Sequence, residues 1–155
     1  MAARSHENLY GQPASSFENY LHNLPFAIIE SDDQDRILLW SGQAEQIFGW
    51  NAAETLGQPI NQSIKLVAES DLDRFRAARQ QIELPCSQVQ VSNYTKTKHL
   101  IRCQWYNSLV YDPEKEKITI LSLVADVTER KRPLNGQLNC KDVMRFCVIV
   151  MMTLW

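Results

Sequence analysis

Apolar and polar positions along this chain change period several times, and each change marks an element. Residues 1–16 mix Ser, Gly, Pro and Asn and predict a loosely ordered tail. A short helical pattern over 17–24 stops at Pro25, which discourages the α region in the residue before it. Two apolar runs, 26–30 and 36–40, flank a turn of Asp32, Asp33, Gln34 and Asp35, the pattern of a β-hairpin. Ser41 is placed to cap a helix over 42–48, with Ala44, Ile47 and Phe48 on one face and Gly49 ending it. Asn51 offers a second cap for a short turn over 52–56 that stops at Gly57 and Pro59. Ser70 starts the longest predicted helix, with Asp73 three residues on as a weak capping box. Its apolar stripe is Leu72, Phe75, Ala78 and Ile82, and Pro85 ends it.

From there the period falls to two. Val89 and Val91 alternate with polar neighbours. Residues 100–111 read as a long strand, with Ile101, Cys103 and Trp105 on one face and Arg102 and Gln104 on the other. The charged run 112–117 is a hairpin loop. Residues 118–127 (ITILSLVADV) are apolar on both faces, as in a strand covered on each side. The order strand, strand, short helices, helix and three strands describes an α+β domain, its antiparallel sheet packed against helices on one face.

Composition narrows the function. The chain has 155 residues, 45% of them hydrophobic and 22% charged, which suits one ordinary globular domain. A formal net charge of −2 supplies no basic field for a phosphate backbone, so nucleic acid is excluded as an expected partner. Cys86, Cys103, Cys140 and Cys147 form no C-x-x-C pair and stand near no His at metal-ligand spacing. They read as buried or free thiols of a reducing compartment, with a disulfide as the less expected case. With no secretory h-region at the N-terminus, and an apolar stretch at 146–155 too short for a membrane span, the expected location is cytoplasmic. No nucleophile elbow, Gly-rich phosphate loop or His pair is present, and the carboxylates at 32–35 and 71–73 suit turn and capping chemistry. No enzymatic activity is expected.

Several stretches resemble the PAS domain family. The hairpin of 26–40 is followed by an A-E-x-x-F-G-aromatic helix (Ala44, Glu45, Phe48, Gly49, Trp50) and an E-x-x-G-x-P turn (Glu54, Gly57, Pro59). Residues 103–112 look like the family's penultimate strand and 120–132 like its last strand and exit. The most specific piece is D-x-T-E-R-K at Asp126, Thr128, Glu129, Arg130 and Lys131. This resemblance covers 17–132 and implies a five-stranded antiparallel sheet cradling a pocket under its helices. It also implies that the exit, through Asp126, Thr128 and Arg130, passes a change in the sheet to an output domain or partner.

The wall of such a pocket would comprise Trp40, Ile47, Phe48, Phe75, Ile82, Cys103, Trp105 and Asn107, each a core candidate first. A mostly apolar wall suits a small apolar or planar ligand. Haem is not expected, because the long-helix region carries no His in the place where haem-binding relatives have one. Flavin photochemistry is not expected either, since 59–69 has no Cys. A non-covalent flavin redox sensor, using Trp40, Trp105, Asn107 or Gln104, is a weaker alternative. No cofactor is assigned. The runner-up to a ligand- or partner-sensing module is a ligand-free dimerisation module that pairs through strand 118–127. After Arg132 the pattern departs from the family: residues 133–155 form an apolar tail without heptads. Two explanations stand, a truncated or frame-shifted larger sensor, or a tail that packs on the sheet or on a second subunit.

Overall fold

Ser41 begins the first helix as its position requires. Its hydroxyl accepts from the amide of Ala44 at 3.2 Å and also from that of Ile28 at 2.9 Å, so one side chain caps the helix and ties it to the sheet. The computed structural model describes residues 26–61, 64–82 and 86–128. Its strands are β1 (Phe26–Ser31), β2 (Ile37–Trp40), β3 (Ser87–Tyr94), β4 (Leu100–Asp112) and β5 (Lys117–Asp126). Between β2 and β3 lie α1 (Gly42–Phe48), α2 (Ala52–Thr55) and α3 (Leu72–Gln80), the last entered through a 3-10 turn (Glu69–Asp71). The sheet order is β2-β1-β5-β4-β3, with every neighbouring pair antiparallel.

Asn51 and Glu54 form a full capping box on α2: the Glu54 amide donates to Asn51 Oδ1 at 2.9 Å, and the Asn51 amide to Glu54 Oε2 at 3.0 Å. The start of α3 differs from its sequence expectation. Ser70 lies inside the 3-10 turn, and no side chain caps the helix. Asp71, at the boundary, instead accepts from the Ser92 amide at 2.7 Å, which pins the helix entry to β3. The helix also ends earlier than expected, at Gln80, which leaves Ile82 beyond it.

Gly49 closes α1 in the left-handed region (φ 82), its amide donating to the Glu45 carbonyl at 2.8 Å. A Cβ there would stand 3.4 Å from Lys96 Cβ, an ordinary contact, so it is the left-handed backbone and not crowding that opposes a side chain. Gly49→Ala is expected to lower stability by about 1–2 kcal/mol in urea titration. An unchanged midpoint would show that α1 can end another way.

Strand pairing settles which residues share a face. Ala27, Ile29 and Val124 join Cys103, Trp105 and Val91 on the face beneath the helices, packed with Phe48, Phe75, Leu66 and Ile60. The opposite face carries Ile28, Tyr106, Leu121, Leu123 and Ala125, all buried. The two-sided apolar pattern of β5 is therefore matched by burial on both sides. Cys103 is a free, buried thiol as expected, whereas Cys86 is disulfide-bonded, the less expected of the two cases for the cysteines. The tails 1–25 and 129–155 fall outside the described residues, and with them the expectations for a loose N-terminus and an atypical C-terminal tail.

Candidate functional site

The interior beneath the helices has an aromatic half and a polar half. Trp105, fully buried on β4, meets the edge of Phe75 with ring centres 4.9 Å apart and planes at 82°, a favourable edge-to-face arrangement. Phe48 lies 6.3 Å from Trp105 and 5.6 Å from Trp40, so four of the expected wall residues form one continuous aromatic row. Their polar atoms are used internally. Trp105 Nε1 donates to Asn93 Oδ1 at 3.2 Å, and Trp40 Nε1 to the Trp50 carbonyl at 2.8 Å. Ile47 packs on this cluster from the side and Cys103 lies within it. Burial, with Asp126 nearby, pushes the Cys103 thiol well above its ordinary range, which holds it neutral. Ile82 is half-buried and not part of the cluster. Gln104, on the other sheet face, is separated from Trp105 by the sheet itself.

Asn107 belongs to the polar half, which centres on Arg79, a residue sequence reasoning missed. Only 3% of the Arg79 side chain is exposed. Its Nε and Nη2 donate to Asp35 Oδ1 at 3.2 and 3.0 Å, and its Nη1 to Ser122 Oγ at 3.1 Å and Asn107 Oδ1 at 3.4 Å. Nη2 also donates to Ser31 Oγ, and Ser122 Oγ donates to Asn107 Oδ1 at 2.7 Å. The guanidinium stands 5.3 Å from the Phe75 ring centre, which joins the two halves. Burial lowers the Arg79 pKa and Asp35 opposes the shift, and a guanidinium in such a network stays charged. Asn107 Nδ2 is buried without a partner among the described residues. The signal was present in the spacing: position 79 stands four residues after Phe75 and seven after Leu72, on the buried stripe. Ser31, Asn107 and Ser122 likewise occupy inward positions of their strands.

At the far end of β5 the exit is tied down by its own side chains. Thr128 Oγ1 accepts from the Arg102 amide at 2.9 Å, the Val127 amide donates to the Arg102 carbonyl at 2.8 Å, and the Thr128 amide donates to Asp126 Oδ1 at 3.0 Å. The Thr128 hydroxyl also bonds Asp126 Oδ1. Asp126 and Thr128 thus sit together on the edge of β4, while Arg130 lies outside the described residues. At the opposite end of the sheet an open groove of about 780 Å³ runs between the two hairpins, lined by Glu30, Leu38, Asp112, Lys115 and Thr119 among others. Partial burial raises the Glu30 pKa, opposed by a hydrogen bond from Thr119.

The sequence profile of the PAS fold matches residues 15–127. This chain belongs to the PAS family. Its five-stranded antiparallel sheet with helices on one face is the fold of solved PAS domains. One, from Colwellia psychrerythraea, superposes with a TM-score of 0.64 at 18% identity, over 75% of this chain and 98% of its own. The PAS domain of a two-component sensor histidine kinase gives 0.58 at 10% identity, over 72% of this chain and 94% of its own. A blue-light activated histidine kinase from Erythrobacter litoralis gives 0.59 at 15% identity, over 87% of this chain and 41% of its own. No curated protein matches. PAS domains are in general sensory and signalling modules, not catalysts. Among the described residues of this PAS domain, no helix is long and apolar enough to cross a membrane.

Proposed function

We propose that this PAS domain is a sensory module without catalytic activity, in which the state of the interior is relayed to the segment after β5. The observation that carries the reading is the shared strand β4. Its residues Cys103, Trp105 and Asn107 face the aromatic and polar halves of the interior, and its Arg102 backbone holds Thr128 and Val127. A small apolar ligand or a partner that shifts Asn107 or Trp105 acts on the strand that anchors the exit. Arg130 would extend that exit toward an output domain or partner protein.

The relay is tested by perturbing one end and reading the other. Asn107→Leu is expected to change amide exchange at Arg102 and Val127 by about tenfold, corresponding to roughly 1.4 kcal/mol of local opening. Unaltered exchange at both amides, with the fold intact by circular dichroism, would sink the relay. Whether a ligand is present is read from the absorbance of the purified chain and the mass of anything released on denaturation. A second reading, a ligand-free module, is favoured by the mutual packing of Trp40, Phe48, Phe75 and Trp105, whose rings occupy one another's surfaces. β5, with both edges paired, is not free to pair with a partner as expected.

A further inference from the structure

The outer face of the sheet is covered, and the described elements do not account for the cover. Ile28, Tyr106, Leu121, Leu123 and Ala125 are 4, 3, 2, 0 and 3% exposed, yet the core beneath α1, α2 and α3 lies on the opposite face. Ser108, on this outer face, has a buried hydroxyl without a partner among the described residues. Cys86 directly precedes Ser87, which pairs with Asn107 on the inner face. Strand alternation carried one residue back turns Cys86 toward the outer face, beside Ser108. Cys86 is disulfide-bonded, while Cys103 is a free thiol on the inner face. The sequence holds two other cysteines, Cys140 and Cys147, both after the exit, and none before residue 86.

We propose that the C-terminal segment 140–155 docks on the outer face of the sheet and is stapled there by a disulfide from Cys86 to Cys140 or Cys147. Its stretch FCVIVMMTLW supplies apolar surface to match Ile28, Leu121, Leu123 and Tyr106. The chain between Thr128 and Cys140 can extend about 40 Å, enough to cover the roughly 20 Å along β4 from Arg102, which holds Thr128, to Ser108, beside Cys86. Two cysteine thiols lose two protons and two electrons on forming the staple. A low-molecular-weight disulfide takes them by thiol–disulfide exchange and leaves as two thiols. A dithiol reductant reverses the step, after which apolar contact alone holds the segment.

The test uses the full chain, purified without reductant and digested under non-reducing conditions for mass spectrometry. The expected result is a linked peptide pair joining Cys86 to Cys140 or Cys147 in a chain that runs as a monomer on a non-reducing gel. Recovery of Cys86 as an alkylated thiol overturns the staple, and so does a covalent dimer, which would make a second copy the occupant. Docking is read separately, from the rate of native-state trypsin cleavage after Arg145. Both Cys86→Ser and reduction of the unmutated chain with dithiothreitol should speed that cleavage by about tenfold. Cleavage in the disulfide-bonded chain as fast as in the urea-unfolded chain would leave a tether with no docked surface, and would overturn the proposal.

Discussion

Arg79→Ala is expected to destabilise the folded protein by about 3 kcal/mol, measured as a fall in the urea midpoint at unchanged slope. The loss has two sources. The Arg79 guanidinium stands over the Phe75 ring, and it is the donor that Ser31, Asn107 and Ser122 share. Removing it strands the buried Ser31 hydroxyl and leaves Ser122 and Asn107 with only their mutual bond, each lost partner costing about 1–3 kcal/mol, partly offset if water enters the space. Asp35 contributes much less. Its side chain is 51% exposed, so the ion pair is largely screened, and Asp35→Asn is expected to cost under about 1 kcal/mol. The contrast between the two partners is the informative result. Equal effects would mean that the ion pair, not the buried hydrogen bonds, dominates at Arg79. Because the same cluster includes Asn107 on β4, Arg79→Ala should also alter amide exchange at the exit.

Trp105→Ala is expected to cost about 4 kcal/mol, more than the loss at Arg79. Its indole is fully buried and touches Phe75 and Phe48, so truncation opens a void lined by rings that cannot collapse without breaking their own contacts. It also strands Asn93 Oδ1, which accepts the indole N–H. For a domain of this size, with a typical total stability of about 5–15 kcal/mol, that is a large share. A dry apolar cavity of this kind takes up small aromatic molecules, so added indole should restore part of the lost thermal stability. A Tm fall below about 3 °C without indole would show that the aromatic row repacks, and that the interior is looser than its ring contacts indicate.

The local elements were legible because local chemistry builds them. Ser41 and Gly49 bound α1 through a hydroxyl acceptor and a left-handed residue, and both act within four residues of their position. The alternation of Val89 and Val91, and of Cys103 and Trp105 against Arg102 and Gln104, set the faces of β3 and β4 because a strand has no other way to turn its side chains. The family motifs extended this to the five-stranded fold. Tertiary structure decided the rest. The order β2-β1-β5-β4-β3 places the last strand between the first and the fourth, a pairing between opposite ends of the domain that no local signal encodes. Asp71 left its expected capping chemistry for the Ser92 amide because β3 arrives beside it.

Arg79 shows the same division. Its spacing from Leu72 and Phe75 put it on the buried stripe, but an arginine there reads as solvent-facing until Ser31, Asn107 and Ser122 converge on it from three strands. A lone residue's period can say that it points inward. Only the assembled sheet supplies the acceptors that let a charge remain there, because the cost of desolvation is met by groups far away in sequence.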